Sequence, residues 1–298
     1  MYLNYKMDNL KLYSKKTGQD CWDRIGVNKF PDGQIQLYNK GIDFKDTVCI
    51  ANLTTPEDVH LLQQLTYLGL QDLKVYYSYG SRCDKDHYGE YPCVNLNSFM
   101  VDIYSQIPGE CEILMPHGSE LSLLLSQGVY NWRLARSPIR HLIAEVAIVA
   151  NVNMYEPWRG KTAFVFPDES AAERWEGYHE NVTDNPDRID FKKERDQLTG
   201  EIKSLVPNSI NKDYEHLVVF DDIIDGGRTF IETSNILKEK FPNAKLYLIT
   251  THSLFSAGYE GISAAYDHTF SFFWKPESTY DIPNNIHLLD ASELKYWI

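Results

Sequence analysis

The stretch Leu217-Val218-Val219-Phe220-Asp221-Asp222-Ile223-Ile224-Asp225-Gly226-Gly227-Arg228-Thr229-Phe230 joins a short apolar run to paired carboxylates and then to a Gly-Gly turn. A β-branched run of this length, followed at once by polar residues, predicts a buried strand over 216–220 ending at the ligand-bearing edge of an α/β sheet. Gly226 and Gly227 allow a tight turn with N–H groups pointing inward. Apolar residues then recur at helical spacing from Thr229 to Lys240, so the turn feeds a helix N-terminus, which stabilises an anion. Asp221 and Asp222 alternate sides at a strand end and can accept from hydroxyls in the crevice there. Hydroxyls on carboxylates and a phosphate on the loop describe a sugar phosphate; the plainer alternative is a surface turn before an ordinary helix.

Outward from this stretch the same grammar repeats. Lys161–Phe166 predicts a strand ending at Pro167-Asp168 before a helix, 244–250 the strand after the central one, and 272–274 a further piece of strand and core. In the first half, 46–53 and 73–78 predict strands around a helix at 59–65, and 112–115 a strand opening onto Pro116-His117-Gly118. Strand, helix, strand at this spacing gives βαβ units and mostly parallel sheets flanked by helices. The expected class is α/β with two similar domains, 1–150 and 151–298, their boundary falling within 151–159. The polar, proline-punctuated segment 181–195 reads as a hairpin or lid carrying Lys193 and Arg195 toward the crevice, and 84–91 has the same loop character.

Composition narrows the classes of function. With 298 residues, 43% hydrophobic and 24% charged, the chain has ample material for packed cores. A formal net charge of −13 argues against nucleic acid as the main partner. The first residues lack the apolar core of a signal peptide and no stretch approaches a membrane span, so no membrane partner is expected. Five cysteines, an odd number without close pairing, fit reduced thiols and a cytoplasmic setting.

Read together, these motifs resemble the ribose-phosphate pyrophosphokinases, the PRPP synthetases of the phosphoribosyltransferase-like superfamily. Lys29-Phe30-Pro31-Asp32-Gly33-Gln34 resembles the family's Arg-Phe-Ser-Asp-Gly-Glu, and Tyr79-Gly80-Ser81-Arg82-Cys83-Asp84-Lys85 its Tyr-Ala-Arg-Gln-Asp-Arg. Pro116-His117-Gly118-Ser119-Glu120 falls where the family has Asp-Leu-His-Ala-x-Gln. Phe166-Pro167-Asp168 is similar to Ser-Pro-Asp, Lys193-Glu194-Arg195 to Lys-Arg-Arg, and Thr251-His252-Ser253-Leu254-Phe255-Ser256 to Thr-His-Gly-Leu-Phe-Ser. The opening stretch corresponds to Asp-Asp-x-x-Asp-Thr-Gly-Gly-Thr, with Gly226 in place of the first Thr and Arg228 in place of a small residue.

The resemblance implies two phosphoribosyltransferase-like domains and transfer of a diphosphoryl group from ATP to the anomeric hydroxyl of ribose 5-phosphate, with Mg²⁺. It implies ATP contacts from Phe30, Asp32, Gln34, Arg82 and Asp84, and ribose-phosphate contacts from Asp221, Asp222, Asp225, Gly226, Gly227, Arg228 and Thr229. Lys193, Arg195 and His117 take catalytic roles, and His117 and Asp168 are the candidate metal ligands. It also implies a homo-oligomer with the ATP site near a subunit interface. Each role has a plainer counterpart: Asp168 capping the next helix, His117 as a structural histidine, Lys193 and Arg195 on a solvated loop, and Arg82 paired with Asp84 or Asp86. Trp22 reads as core or interface and His252 as buried and hydrogen-bonded. Arg228 in place of a small residue favours ADP-ribose as an alternative acceptor, because a diphosphate needs further donors. A phosphoribosyltransferase using PRPP, or a regulatory homologue without activity, would share the Asp221–Asp222 loop.

Overall fold

The computed structural model describes residues 8–88, 90–117, 119–150, 161–179, 187–195, 202–207, 212–274 and 281–297. They form two compact α/β units. In the first, the strands are β1 (Leu10–Ser14), β2 (Ile25–Lys29), β3 (Ile35–Asn39), β4 (Thr47–Asn52), β5 (Asp72–Tyr77), β6 (His87–Tyr88), β7 (Tyr91–Pro92), β8 (Cys111–Ile113) and β9 (Trp132–Leu134). Its helices are α1 (Pro56–Tyr67), α2 (Leu96–Tyr104) and α3 (Ser119–Gly128). A five-stranded sheet runs β1-β4-β5-β8-β9, parallel except at the β1 edge. Helix α1 starts where the sequence supplies a capping box: Thr55 accepts from the Asp58 N–H, Asp58 accepts from the Thr55 N–H, and Pro56 fills the first turn.

Alternation along these strands sorts the side chains onto two faces. Leu10, Leu12, Cys49, Ala51, Leu73, Val75, Cys111 and Ile113 pack with Leu62, Met100, Tyr104 and Leu125 of the three helices. On the other face the register places Lys74, Glu112 and Arg133 side by side on neighbouring strands. Lys74 is ion-paired with Glu112, and its Nζ also donates to the carbonyl of Trp297 at 2.9 Å.

The second unit contains α4 (Ser137–Val149), β10 (Thr162–Phe166), α5 (Glu169–His179), β11 (Asp187–Arg195), β12 (Ile202–Pro207), β13 (His216–Ile224), α6 (Arg228–Lys240), β14 (Lys245–Ser253), α7 (Glu260–Ala265), β15 (His268–Phe273) and β16 (Ile286–Asp290). Its seven-stranded sheet runs β12-β11-β10-β13-β14-β15-β16, parallel apart from β12. Leu217, Val219, Leu246 and Leu248 meet Phe230 and Leu237 of α6 on one face. On the other, Phe220 packs against Phe164, Phe166 and Trp175 of α5, with ring centroids 4.6–6.0 Å apart. Burying a side chain such as Phe220 contributes about 1.5–3 kcal/mol. Both faces of the central strand are covered, which explains its unbroken apolar run.

The α/β class with mostly parallel sheets is thus as expected, but the chain is divided differently. The first unit takes residues up to Ala135 together with Trp274 and the stretch from Ala291, while Arg136 begins the second. Helix α4, inside the expected first domain, packs on β14 and β15. The C-terminal stretch joins the first unit because that unit holds its partners: Tyr13 donates to the Ser292 carbonyl at 2.9 Å, and Lys74 to that of Trp297. The expected boundary, 151–159, lies outside the described residues.

Of the hairpin or lid expected at 181–195, the described part is the first strand of an antiparallel pair, as a hairpin requires. Asp187–Arg195 is a strand, parallel to β10 along its first half and antiparallel to β12 beyond. Residues 180–186 lie outside the described residues. All five cysteines are free, with Cys21, Cys49 and Cys111 buried. Burial holds the Cys111 thiol up to about 12. No helix among the described residues is long and apolar enough to cross a membrane.

Candidate active site

Strand β13 does not stop at Phe220. Its pairing with β14 continues to Ile224 opposite Ser253, so Asp221 and Asp222 lie within the strand rather than at its tip. Both are buried, with side-chain exposures of 12% and 3%. Neighbouring residues of a strand normally point to opposite faces. Here one nitrogen gathers both: Nη2 of Arg174 stands 2.9 Å from Oδ1 of Asp221 and 3.1 Å from Oδ1 of Asp222.

Arg174 comes from α5, in the stretch that buries Ala171, Ala172 and Trp175. Sequence reading missed it. The available signal was an arginine among small and aromatic core residues, on a helix that starts at a motif aspartate. Its Nε is enclosed without a hydrogen-bond partner. Burial works against its charge, but Asp222 and Asp221, with a smaller contribution from Asp168, outweigh that and push its pKa up. Burial, then the Asp222 charge, hold the Asp221 carboxyl well above the usual carboxylate range, and Arg174 only partly offsets them.

The backbone here is tied to the Thr251–Ser253 motif. Thr251 Oγ1 donates to the Asp222 carbonyl at 3.0 Å, and His252 Nδ1 lies 2.9 Å from Thr251 Oγ1 and 3.2 Å from that same carbonyl. His252 is buried and hydrogen-bonded, as the sequence suggested. After β14, Phe255 takes a left-handed φ of 47° while buried, an uncommon state for an aromatic residue. The chain then places Ser256 Oγ 3.9 Å from where a Cβ on Gly226 would stand. A hydroxyl therefore borders the turn at Gly226.

Gly227, at φ 77°, is the N-cap of the 13-residue α6 and has no side-chain cap bond. The left-handed conformation calls for glycine, and a Cβ there would fall 2.9 Å from the end of the Ile262 side chain, which would have to move aside. Gly226 and Arg228 are exposed, and Asp225 and Thr229 half-buried. Arg228 Nε donates to Glu232 at 2.9 Å, one turn along the helix. Asp168 is half-buried and accepts from the Ala171 N–H at 2.9 Å, so it caps α5 at the same time as it neighbours Arg174.

Lys193 and Arg195 lie on β11, opposite β12, and their side chains lie outside the described residues. In the first unit, the β2–β3 hairpin turns through Phe30–Gln34, with the Gln34 N–H donating to Asp32 Oδ1 at 3.1 Å. Phe30 is 42% exposed at this tip. Arg82 is exposed and Asp84 half-buried, in a loop held by Leu96 N–H on the Cys83 carbonyl and by Asn95 Nδ2 on that of Asp84. His117 is half-buried just beyond Met115, whose φ of 30° is again a left-handed conformation. Gly118 lies outside the described residues. Trp22 packs partly buried against the first core, and Trp274 is buried, stacking with Tyr76 at 5.9 Å. Among the described residues no group of three or more His, Cys, Asp or Glu is arranged to hold a metal ion.

With this geometry in place, the class of fold is clear: a PRPP synthetase-like α/β fold of two units. The chain is similar to the crystal structure of phosphoribosylpyrophosphate synthetase from Mycobacterium smegmatis, with a TM-score of 0.65 over 91% of this chain and 87% of that one. Sequence identity is 14%, and the likeness is one of fold. No protein-family model matches the chain, and no curated protein sequence matches it.

Proposed function

We propose that this chain is a diphosphoryl transferase that takes the diphosphoryl group of ATP to the anomeric hydroxyl of a ribose phosphate, with ribose 5-phosphate as acceptor and PRPP and AMP as products. One observation carries the reading. A carboxylate pair drawn together on β13 leads through left-handed Gly227 into the N-terminus of α6, which joins a polyol-binding group to an anion-binding one. The anomeric oxygen bonds to the β-phosphorus, the bond from that phosphorus to the α-bridging oxygen breaks, and AMP leaves with those electrons while the hydroxyl proton passes to solvent.

In this reading the protein positions the reactants and neutralises charge. Asp221 and Asp222 accept from the ribose hydroxyls, and Asp225, Gly226, Gly227 and Thr229 hold the phosphate. Lys193 and Arg195 stabilise the transferred phosphoryls. Phe30, exposed at its hairpin tip, stacks on adenine, with Asp32, Gln34, Arg82 and Asp84 binding the nucleotide. Its exposure suits service to a neighbouring copy and hence a homo-oligomer. Mg²⁺ neutralises the phosphates and binds oxygen donors, few of them from protein. The half-buried Asp168 carboxylate is of that type, and His117 is the second candidate ligand.

A second acceptor is favoured by a specific observation. Arg228, exposed at the first position of α6 beside open Gly226, offers a forked donor to a second phosphate and so favours ADP-ribose. The test is AMP release from Mg-ATP with ribose 5-phosphate or ADP-ribose as the single acceptor. AMP with the first supports the main reading, AMP with the second alone transfers the site to the larger acceptor, and none with either across Mg²⁺ concentrations refutes both.

A further inference from the structure

We propose that a cavity in the first unit, between residues 14–24 and 42–47, is a binding site for a small zwitterion, an amino acid with an aliphatic side chain, apart from the candidate active site. The cavity encloses about 210 Å³. Thr47 opens β4 and Ser14 closes the antiparallel β1, so it lies at the N-terminal edge of the parallel strands. The loop of Arg82 follows the opposite end of β5, the edge at which open α/β sheets bind their ligands.

The floor of the cavity is apolar because its polar groups are satisfied within the fold. Buried Cys21 donates through Sγ to the Leu12 carbonyl at 3.4 Å, buried Thr47 donates through its hydroxyl to the Asp43 carbonyl at 2.8 Å, and Ile42 is buried beside them. The walls carry both signs of charge. Asp20, Asp43 and Asp46 are each held through one oxygen, by the Trp22 N–H at 2.8 Å, the Lys45 N–H at 3.1 Å and the Ser14 hydroxyl at 2.8 Å, which leaves the other oxygen of each to a donor. Lys16 and Arg24 line the same space, and among the described residues neither forms an ion pair with any of the three. The three carboxylates are not arranged to hold a metal ion. Opposite charges that flank one apolar floor without neutralising each other match a molecule carrying both. Its carboxylate meets Arg24 and Lys16, its ammonium meets Asp20 and Asp43, and its aliphatic group lies over Cys21 and Ile42.

Isothermal titration of the full chain with L-valine, 3-methylbutanoate and isobutylamine tests this, since the second lacks the amine of valine and the third its carboxylate. Wild type is expected to bind valine roughly tenfold or more tighter than either, the value of a hydrogen bond to a charged group. Arg24→Gln is expected to remove the advantage over isobutylamine. Asp20→Asn/Asp43→Asn, whose amides keep the backbone contacts, is expected to remove the advantage over 3-methylbutanoate. Saturating valine should also slow alkylation of Cys21, read by peptide mass spectrometry, while the exposed Cys83 reacts unchanged. This protection needs no variant, so it decides the matter even where a substitution unfolds the chain. No binding of valine at millimolar concentration, equal affinity for valine and 3-methylbutanoate, or Cys21 left unprotected overturns the proposal. So does the full wild-type preference retained by either variant when circular dichroism shows it folded.

Discussion

Each unit buries an ion-paired cluster against its sheet, and the two are built on opposite balances of charge. In the first, Glu112 is met by two cations: Lys74 is its ion-pair partner, and Arg133 Nη2 stands 3.5 Å away. Lys74 also donates to the Trp297 carbonyl and lies 5.8 Å from the centre of the Trp297 ring. In the second, the one guanidinium of Arg174 faces Asp221 and Asp222, with Asp168 nearby, and keeps an enclosed Nε unpartnered. The first cluster satisfies its groups within the fold and fastens the C-terminal stretch to its unit. The second sets one guanidinium among acidic groups, Asp222 and Asp221 foremost and Asp168 next, and holds the Asp221 carboxyl well above its ordinary range, the kind of perturbation that clusters at functional sites.

The largest effect that would test this contrast is in the second cluster. Arg174→Met removes the guanidinium that faces two buried carboxylates and is expected to cost about 3–5 kcal/mol in denaturant unfolding, with Arg174→Met/Asp221→Asn recovering part of it. Lys74→Met should cost less, about 1–3 kcal/mol, because Arg133 still faces Glu112. The double change Lys74→Met/Glu112→Leu should return to within about 1 kcal/mol of wild type. Equal losses from Arg174→Met and Lys74→Met would break the comparison.

A smaller effect follows from the raised Asp221 carboxyl. Its folded pKa lies above the ordinary 3.8, so its contribution to stability is complete below that value and is lost as pH rises through the folded pKa. Comparing melting temperatures across that window, wild type should lose ground to Asp221→Asn as pH rises; a constant difference would refute the assignment. The smallest effect has the opposite sign. Burial holds His216 below its ordinary 6.5, and burial with neighbouring His268 does the same for His287, whose Nε2 lies 3.0 Å from His268 Nδ1. Stability from these groups is present above 6.5 and lost as pH falls below it. Changing both His216 and His287 to Gln should flatten that acidic limb of the second unit without altering the Asp221 window; a limb that stays as steep would exclude the pair as its source.

Much of this was legible from the chain. The apolar runs at 46–53, 73–78, 161–166 and 244–250 announced parallel strands, and Gly227 before an amphipathic run announced the start of α6. The buried, hydrogen-bonded state of His252 also followed from local pattern. What escaped was set by partners distant in sequence. The polar character of Asp221 and Asp222 suggested that the strand had ended, yet β14 pairs onward to Ser253 because Arg174 and Thr251 satisfy groups that would otherwise require water. Asp168, weighed as ligand or helix cap, accepts from the Ala171 N–H at the start of α5, and its nearness to Arg174 was announced by no local pattern. Helix α4 went to the wrong side of the expected division because an apolar helix face does not announce which sheet will cover it.

By itself the sequence determined the elements, the α/β class and the loop that turns β13 into α6, since these depend on periodicity, glycine conformation and caps within a few residues. Tertiary structure alone decided that Arg174 gathers the acidic pair, that Lys74 fastens the C-terminal stretch, and which unit receives α4. Those outcomes depend on desolvated charges finding partners across strands and helices, and the energy of such pairing is fixed by burial and distance, which no local pattern records.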